Sequence, residues 1–300
     1  MAVSVANLGA STGTNISTVS LAANANIQAG DLVVVAVGCF GGVTVSGVSD
    51  GTNTYAKAVD LTGTSNAYIS VWYKANASAV TTPTIVATFS GTSSVPTIAG
   101  LRASGMALAS PADKTATATG TSTNPSVSTG TLSQITELVI GAIFVNGNPS
   151  FTEGAGFTQS GNTAGGSVIL DLAYETVNAT TSITYSPTLS PTQIFTTATV
   201  SFKAASNTYK LACASGSYTL SGAQAAVKKA MHLVAAPGAY TLTGKPVTRG
   251  YALLCGAGSY VLSGVGLVVT DAVAPASKFL IRQARYVLQQ IRTKPPTLDQ

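Results

Sequence analysis

Charge is what this sequence has least of. Only 15 of 300 residues are Lys or Arg and 10 are Asp or Glu, together 8%, where an ordinary soluble domain has about 25%. A disordered chain combines high charge with low hydrophobicity. This one is 45% hydrophobic with a mean hydropathy of +0.36, which excludes wholesale disorder. The good helix formers Lys, Glu and Arg are scarce, while 32 Ser, 42 Thr and 30 Gly are poor ones, so a helical bundle is excluded too. Long apolar runs are also missing. The most apolar segment, 32–40, has nine residues, whereas a membrane-spanning helix needs about 20.

Cysteine and histidine are nearly absent. Cys39, Cys213 and Cys255 cannot all pair within one chain, no CxxC occurs, and His232 is the one histidine. A zinc site is therefore not expected. The first 15 residues contain no Lys or Arg, so the charged start of a secretory signal peptide is lacking. The expectation is a chain made in a reducing cytoplasm. Three Asn-x-Ser/Thr triplets, at Asn15, Asn76 and Asn178, are what chance gives in so Ser- and Thr-rich a sequence.

What is present reads as strands. Segments 32–40, 68–74, 83–89, 137–145, 167–177 and 194–203 are rich in β-branched and aromatic residues, and the stretches between are dense in Gly, Ser, Thr, Asn and Pro. Many short strands with such punctuation make a sandwich or barrel. In 167–177, Val168, Leu170, Leu172 and Tyr174 alternate with Asp171 and Glu175, the pattern of a half-buried strand with one wet face. Asp50-Gly51 is a hairpin-turn signal. Residues 110–130 read as a long exposed connection or an edge strand between two halves.

From residue 209 a repeat appears. YKLACASGSYTLSG (209–222), MHLVAAPGAYTLTG (231–244) and YALLCGAGSYVLSG (251–264) align without a gap. Tyr218, Tyr240 and Tyr260 match, as do Leu220, Leu242 and Leu262, and Gly222, Gly244 and Gly264. Each unit reads as a β-hairpin about a Ser-Gly, Pro-Gly or Ala-Gly turn, and three in tandem can stack their apolar faces. Cys213 and Cys255 share one repeat position. They are either a packing pair or a disulfide.

After the repeats, Ser277 as N-cap and Pro295-Pro296 as stop bound an expected amphipathic helix. Leu280, Ala284, Val287 and Ile291 make its apolar stripe, and Lys278, Arg282, Arg285 and Arg292 its basic face. Such a basic face could touch a membrane, nucleic acid or an acidic partner, and the expected role is docking on its own chain or on a neighbouring subunit. The expected fold is therefore all-β: an antiparallel, jelly-roll-like β-sandwich (1–205), a stack of three β-hairpin repeats (206–272), and one C-terminal amphipathic α-helix with a tail (273–300). Residues 1–205 carry a net charge of −3 and residues 206–300 a net +8, so the C-terminal part suits an acidic partner.

Catalytic chemistry is hard to find. His232 stands alone in the middle repeat, aligned with Lys210 and Ala252. Asp171 and Glu175 share a strand face as a glycosidase pair could, yet such pairs commonly decorate a solvated face. Asp50-Gly51-Thr52-Asn53 has oxygen ligands without the calcium-loop pattern. No nucleotide-binding or hydrolase motif occurs. The expectation is a protein that is not an enzyme and holds no cofactor or metal. A second reading is a glycan-binding module using the aromatics Tyr55, Tyr68 and Trp72.

The units GSYTLSG, GAYTLTG and GSYVLSG resemble tandem GxYxLTG repeats of structural proteins of tailed bacteriophages and prophages. The stretch from AGDLVVVAV through VSDGTNTY and ISVWYKA to GLRASG resembles a β-sandwich module of phage and surface proteins. Together they span residues 25–265. The resemblance implies a virion component: a head decoration, a collar or fibre element, or a tail accessory protein. Its partners would be other virion proteins and copies of itself, with no nucleic acid and no membrane span. It carries no catalytic residues over and does not extend to the basic C-terminal segment.

Overall fold

The computed structural model describes residues 2–163 and 167–205, and the backbone of eight strands between residues 210 and 282. The chain divides into two compact units, Met1–Ser206 and Asn207–Gln300. In the first unit every segment read above as a strand is one, within a residue at its ends, except that the strand expected over 83–89 runs on to Ser93.

The first unit is a doubled sandwich. Its first half contains β1 (Ser4–Thr12), β2 (Ile16–Ala22), β3 (Leu32–Cys39), β4 (Val45–Ser49), β5 (Ala56–Thr62), β6 (Tyr68–Lys74), β7 (Thr84–Ser93) and β8 (Thr97–Ser104). One sheet has the order β1-β8-β3-β6-β5 and the other β2-β7-β4. This is jelly-roll connectivity, except that β5 pairs with β6 instead of extending the β4 edge.

The second half contains β9 (Ala112–Ser122), β10 (Val127–Thr131), β11 (Thr136–Asn146), β12 (Ser150–Thr152), β13 (Thr158–Asn162), β14 (Val168–Asn178), β15 (Ser182–Tyr185), β16 (Thr188–Ser190) and β17 (Gln193–Lys203). Its large sheet, β9-β17-β11-β14-β13, repeats the first strand for strand. Where the first half has β2-β7-β4, the second has β10-β15 and β12-β16. Pro187 separates β15 from β16, because proline cannot donate to a ladder. Of the 110–130 stretch, residues 112–122 form the edge strand β9, and its last residues belong to β10.

The registers agree in detail. Val33 pairs with Lys74 and Arg102, and Val139 pairs with Glu175 and Ser201. A bulge at Lys57/Val59 on β5 recurs at Gln159/Gly161 on β13. Contacts between the halves are reciprocal: β1 lies beside β13 and β9 beside β5, while β3 packs on β14 and β11 on β6. The halves are thus related by a pseudo-twofold.

That arrangement explains the apolar runs. The two five-stranded sheets pack face to face, with Leu32, Val34 and Ala36 meeting the layer of Leu138, Ile140, Ala142 and Phe144. The opposite faces, Val33, Val35 and Val37 in one half and Val139, Ile143 and Val145 in the other, lie under the smaller sheets. A strand buried on both sides has no polar alternation. This corrects the expectation for 167–177. Both faces of β14 are covered from Val168 to Ala173, and Asp171 is fully buried.

The second unit contains β18 (Lys210–Cys213), β19 (Ser217–Ser221), β20 (His232–Ala235), β21 (Ala239–Gly244), β22 (Tyr251–Cys255), β23 (Ser259–Gly264), β24 (Val269–Val273) and β25 (Phe279–Arg282). The units are not hairpins. The strands of one unit lie in different sheets, β18-β20-β22-β24 and β19-β21-β23-β25, and all pairs between units are parallel. A strict tandem repeat can place identical residues in ladders between units, and parallel in-register pairing does this where a hairpin would not. Among the described residues there are four rungs. The fourth, β24 and β25, crosses the expected boundary at 272/273 and occupies residues expected to open the helix. Phe279–Arg282 pairs in parallel with β23, a non-local ladder overriding local helix propensity. Residues 283–300, the remainder of that expected helix, lie outside the described residues.

Candidate functional site

Polar side chains enter the first unit beside the β5 and β13 bulges, at corresponding places in both halves. Register makes Lys57 equivalent to Gln159, Asp60 to Asn162, Ser70 to Asp171 and Trp72 to Ala173. In the first half, Lys57 Nζ stands 5.7 Å from the centre of the Trp72 ring and 2.6 Å from Asp60 Oδ2. Tyr68 donates to the same Asp60 oxygen at 3.1 Å, and Trp72 Nε1 donates to Ser70 Oγ at 3.0 Å. Burial pushes the Tyr68 phenol up to about 12.

The Asp50 turn holds the neighbouring ring. Gly51, at φ 85, takes the left-handed position the turn needs. Asp50 Oδ1 accepts from the backbone N–H groups of Thr52 and Asn53, and Oδ2 from Asn53 Nδ2 and the Tyr55 hydroxyl. The side chain of Asn53, itself buried, clasps the Ser78 backbone: Nδ2 donates to the carbonyl and Oδ1 accepts from the N–H. The carboxylate is saturated by donors, so this turn is a clamp for Tyr55 and not a metal loop. Tyr55, Tyr68 and Trp72 are 4%, 1% and 7% exposed. They do not form the open stacking platform a glycan-binding reading would ask for. A shallow cleft of about 310 Å³ along β4 is nevertheless lined by Tyr55 and Trp72, together with Ser46, Ser49, Thr54 and Thr88.

The second half closes the corresponding place. Ala173 stands at the Trp72 position, and Phe157 and Tyr185 fill the space edge to face at 4.9 Å. Gln159 Nε2 and Asn162 Nδ2 each donate to Asp171 Oδ1 at 2.7 Å, and Tyr185 donates to Oδ2 at 3.2 Å. Burial, and then the adjacent Glu153 carboxylate, push Asp171 up to about 8. Glu153 Oε2 is buried without a hydrogen-bond partner. The Tyr185 phenol is pushed well up by burial and by both carboxylates.

Asp171 and Glu175, weighed above as a glycosidase-like pair and expected instead to decorate a solvated face, do neither. Asp171 and Glu175 are four residues apart on one strand, about 13 Å between Cα atoms at strand rise. Asp171 is sealed while Glu175 is half-buried beside Gly156. Among the described residues, no three His, Cys, Asp or Glu side chains group as metal ligands.

The repeat residues fall into columns. Tyr218, Tyr240 and Tyr260 occupy matching register positions on successive strands, continued by Phe279; Leu220, Leu242 and Leu262 are continued by Ile281. Gly244 pairs with Gly264, while Gly222 lies outside the described residues. His232 lies on β20 between Lys210 and Ala252. Ala235 separates Cys213 from Cys255 in the ladder. The backbones of the two cysteines are therefore two strand spacings apart, about 9.6 Å. Leu280 and Arg282 lie on β25; Lys278, Ala284, Arg285, Val287, Ile291 and Arg292 lie outside the described residues.

No protein-family model, curated protein or solved structure matches this chain. Fold and site define the class by themselves: a tandem jelly-roll protein followed by a parallel repeat stack. Among the described residues no helix is long and apolar enough to cross a membrane.

Proposed function

We propose that the chain is a non-enzymatic structural component of a tailed-phage virion: a head decoration, a collar or fibre element, or a tail accessory protein. The observation that carries the reading is the pairing of two architectures. Jelly rolls recur in viral capsid and lectin domains, and here two are fused face to face through an apolar core. A four-rung parallel stack follows, built from the repeats that resemble phage structural proteins. Acid groups in the first unit are spent on structure: Asp50 clamps a turn and Asp171 is sealed. The net +8 of residues 206–300 favours an acidic surface on another virion protein. Self-association as a closed ring suits the same role.

The test is mass spectrometry of purified particles from the encoding phage or prophage, with light scattering of the isolated chain. Presence in particles at a fixed copy ratio and a defined multimer are expected. A monomer absent from purified particles overturns the proposal.

The β4 cleft favours a second reading, a glycan-binding module on a surface-exposed protein. Hits on a glycan array are its expected outcome, and an array without hits removes it.

A further inference from the structure

We propose that the cleft along β4 is a saccharide subsite that takes one neutral pyranose ring of a glycan. The inference rests on the glycan-binding reading and gives it a location and a ligand class.

Four observations converge on the cleft. Its volume, about 310 Å³, is at the small end for ligand sites, roughly 300–1,000 Å³, and suits one sugar ring more than an oligosaccharide. Its lining is amphipathic: Val48, Tyr55, Trp72 and Val86 give apolar surface, while hydroxyls come from Ser46, Ser49, Thr54 and Thr88. A pyranose matches this, with one face of C–H groups and an equator of hydroxyls. No charged residue lines the cleft, which selects a neutral ligand over a phosphate or a uronic acid.

The small parts of Tyr55 and Trp72 that reach the cleft, 4% and 7% of each residue, are also preorganised. Tyr55 is fixed by Asp50, which Asn53 braces against Ser78, and Trp72 is held by Ser70 and covered by Lys57. Binding rings already locked by neighbouring hydrogen bonds avoids the cost of ordering them. The pseudo-twofold supplies an internal comparison, since the equivalent place in the second half is packed shut by Phe157 and Tyr185.

Strand addition is the competing use of a free edge. The β4 strand is five residues long and bulged between Val45 and Gly47. Short, bulged edges resist pairing, so the small ligand is favoured.

Trp72 is the one tryptophan in the sequence, so its fluorescence reports on the cleft. The experiment titrates the full chain with methyl glucoside, methyl galactoside and N-acetylglucosamine, with sorbitol as the acyclic polyol control. A saturable change with at least one pyranose, half-maximal on the order of 1 mM, and none with sorbitol, is expected. Gly47→Leu is the blocking variant. Gly47 lines the cleft, has no left-handed φ, and a Cβ there meets nothing within 4 Å. Leucine should fill the cleft without disturbing the fold, verified by an unchanged melting temperature, and weaken binding at least about tenfold. Binding undiminished in Gly47→Leu, or an equal response to sorbitol, overturns the subsite while glycan-array hits keep the broader reading. No response to any pyranose overturns the subsite, and with an array that is also blank it overturns both. None of these outcomes bears on particle association.

Discussion

The ring of Tyr185 lies against the backbone of Gly141. A Cβ built on Gly141 would fall 2.5 Å from Tyr185 Cγ and 2.8 Å from Cδ1. Only glycine lets that ring sit where its hydroxyl reaches Asp171. Gly141→Ala should therefore cost about 1–3 kcal/mol as overpacking, a fall in melting temperature of roughly 2–4 °C per kcal/mol for this size. Calorimetry checks it.

Asp171 gives the chain an unusual pH response. Its folded value, about 8, lies above the ordinary carboxyl value near 3.9. Between the two the folded chain binds the extra proton, so this group's contribution to stability is full below about pH 4 and is lost as pH rises through about 8. The neighbours facing it are Glu153, Gln159, Asn162 and Tyr185. Urea midpoints should fall from pH 5 to pH 8. Asp171→Asn, which resembles the protonated acid, should flatten that trend and match or exceed the parent at pH 8.

Arg102 supports one carboxylate that its counterpart manages without. Asp31 Oδ2 accepts from Arg102 Nη1 at 3.2 Å and from the Gln28 N–H at 2.9 Å. In the second half Glu137 keeps the equivalent bond from Gln134, but Ser201 stands where Arg102 would be. Arg102→Met should destabilise by about 1–3 kcal/mol through the stranded buried charge, and adding Asp31→Asn should return part of it. A double-mutant cycle by urea unfolding measures the coupling.

Cys39 should be inert in the native state. It is fully buried, and burial pushes its thiol up to about 12, while the thiolate is the reactive form. In a Cys213→Ser/Cys255→Ser background, a thiol reagent should label nothing until the chain unfolds. Native labelling at the rate of a free thiol would contradict this burial.

The strands were legible because their residues are β-branched and their turns rich in Gly, Asn and Pro. The duplication was not, since the halves share topology more than residues. Its trace is short: Gln28-x-x-Asp31-Leu32-Val33 recurs 106 positions on as Gln134-x-x-Glu137-Leu138-Val139. The Asp171 network was hidden for a different reason. Alternation along 167–177 marks two faces without saying whether a second layer covers the polar one. The repeat was plain in the sequence, but period alone cannot decide between pairing within a unit and pairing between units. The β4 cleft depends on which way β5 turns, and that is set by its non-local pairing with β6.

The pseudo-twofold has a consequence for how such a chain can change. In a homodimer one gene serves both sides of the axis, so every substitution happens twice and must suit both places. Here residues 105–111 join the copies in a single polypeptide. The tether keeps each copy at a high effective concentration for the other, and each carries its own codons. One copy can then spend stability on an exposed, ligand-sized hollow while the other compensates with a fuller interior, a division of labour closed to any symmetric pair.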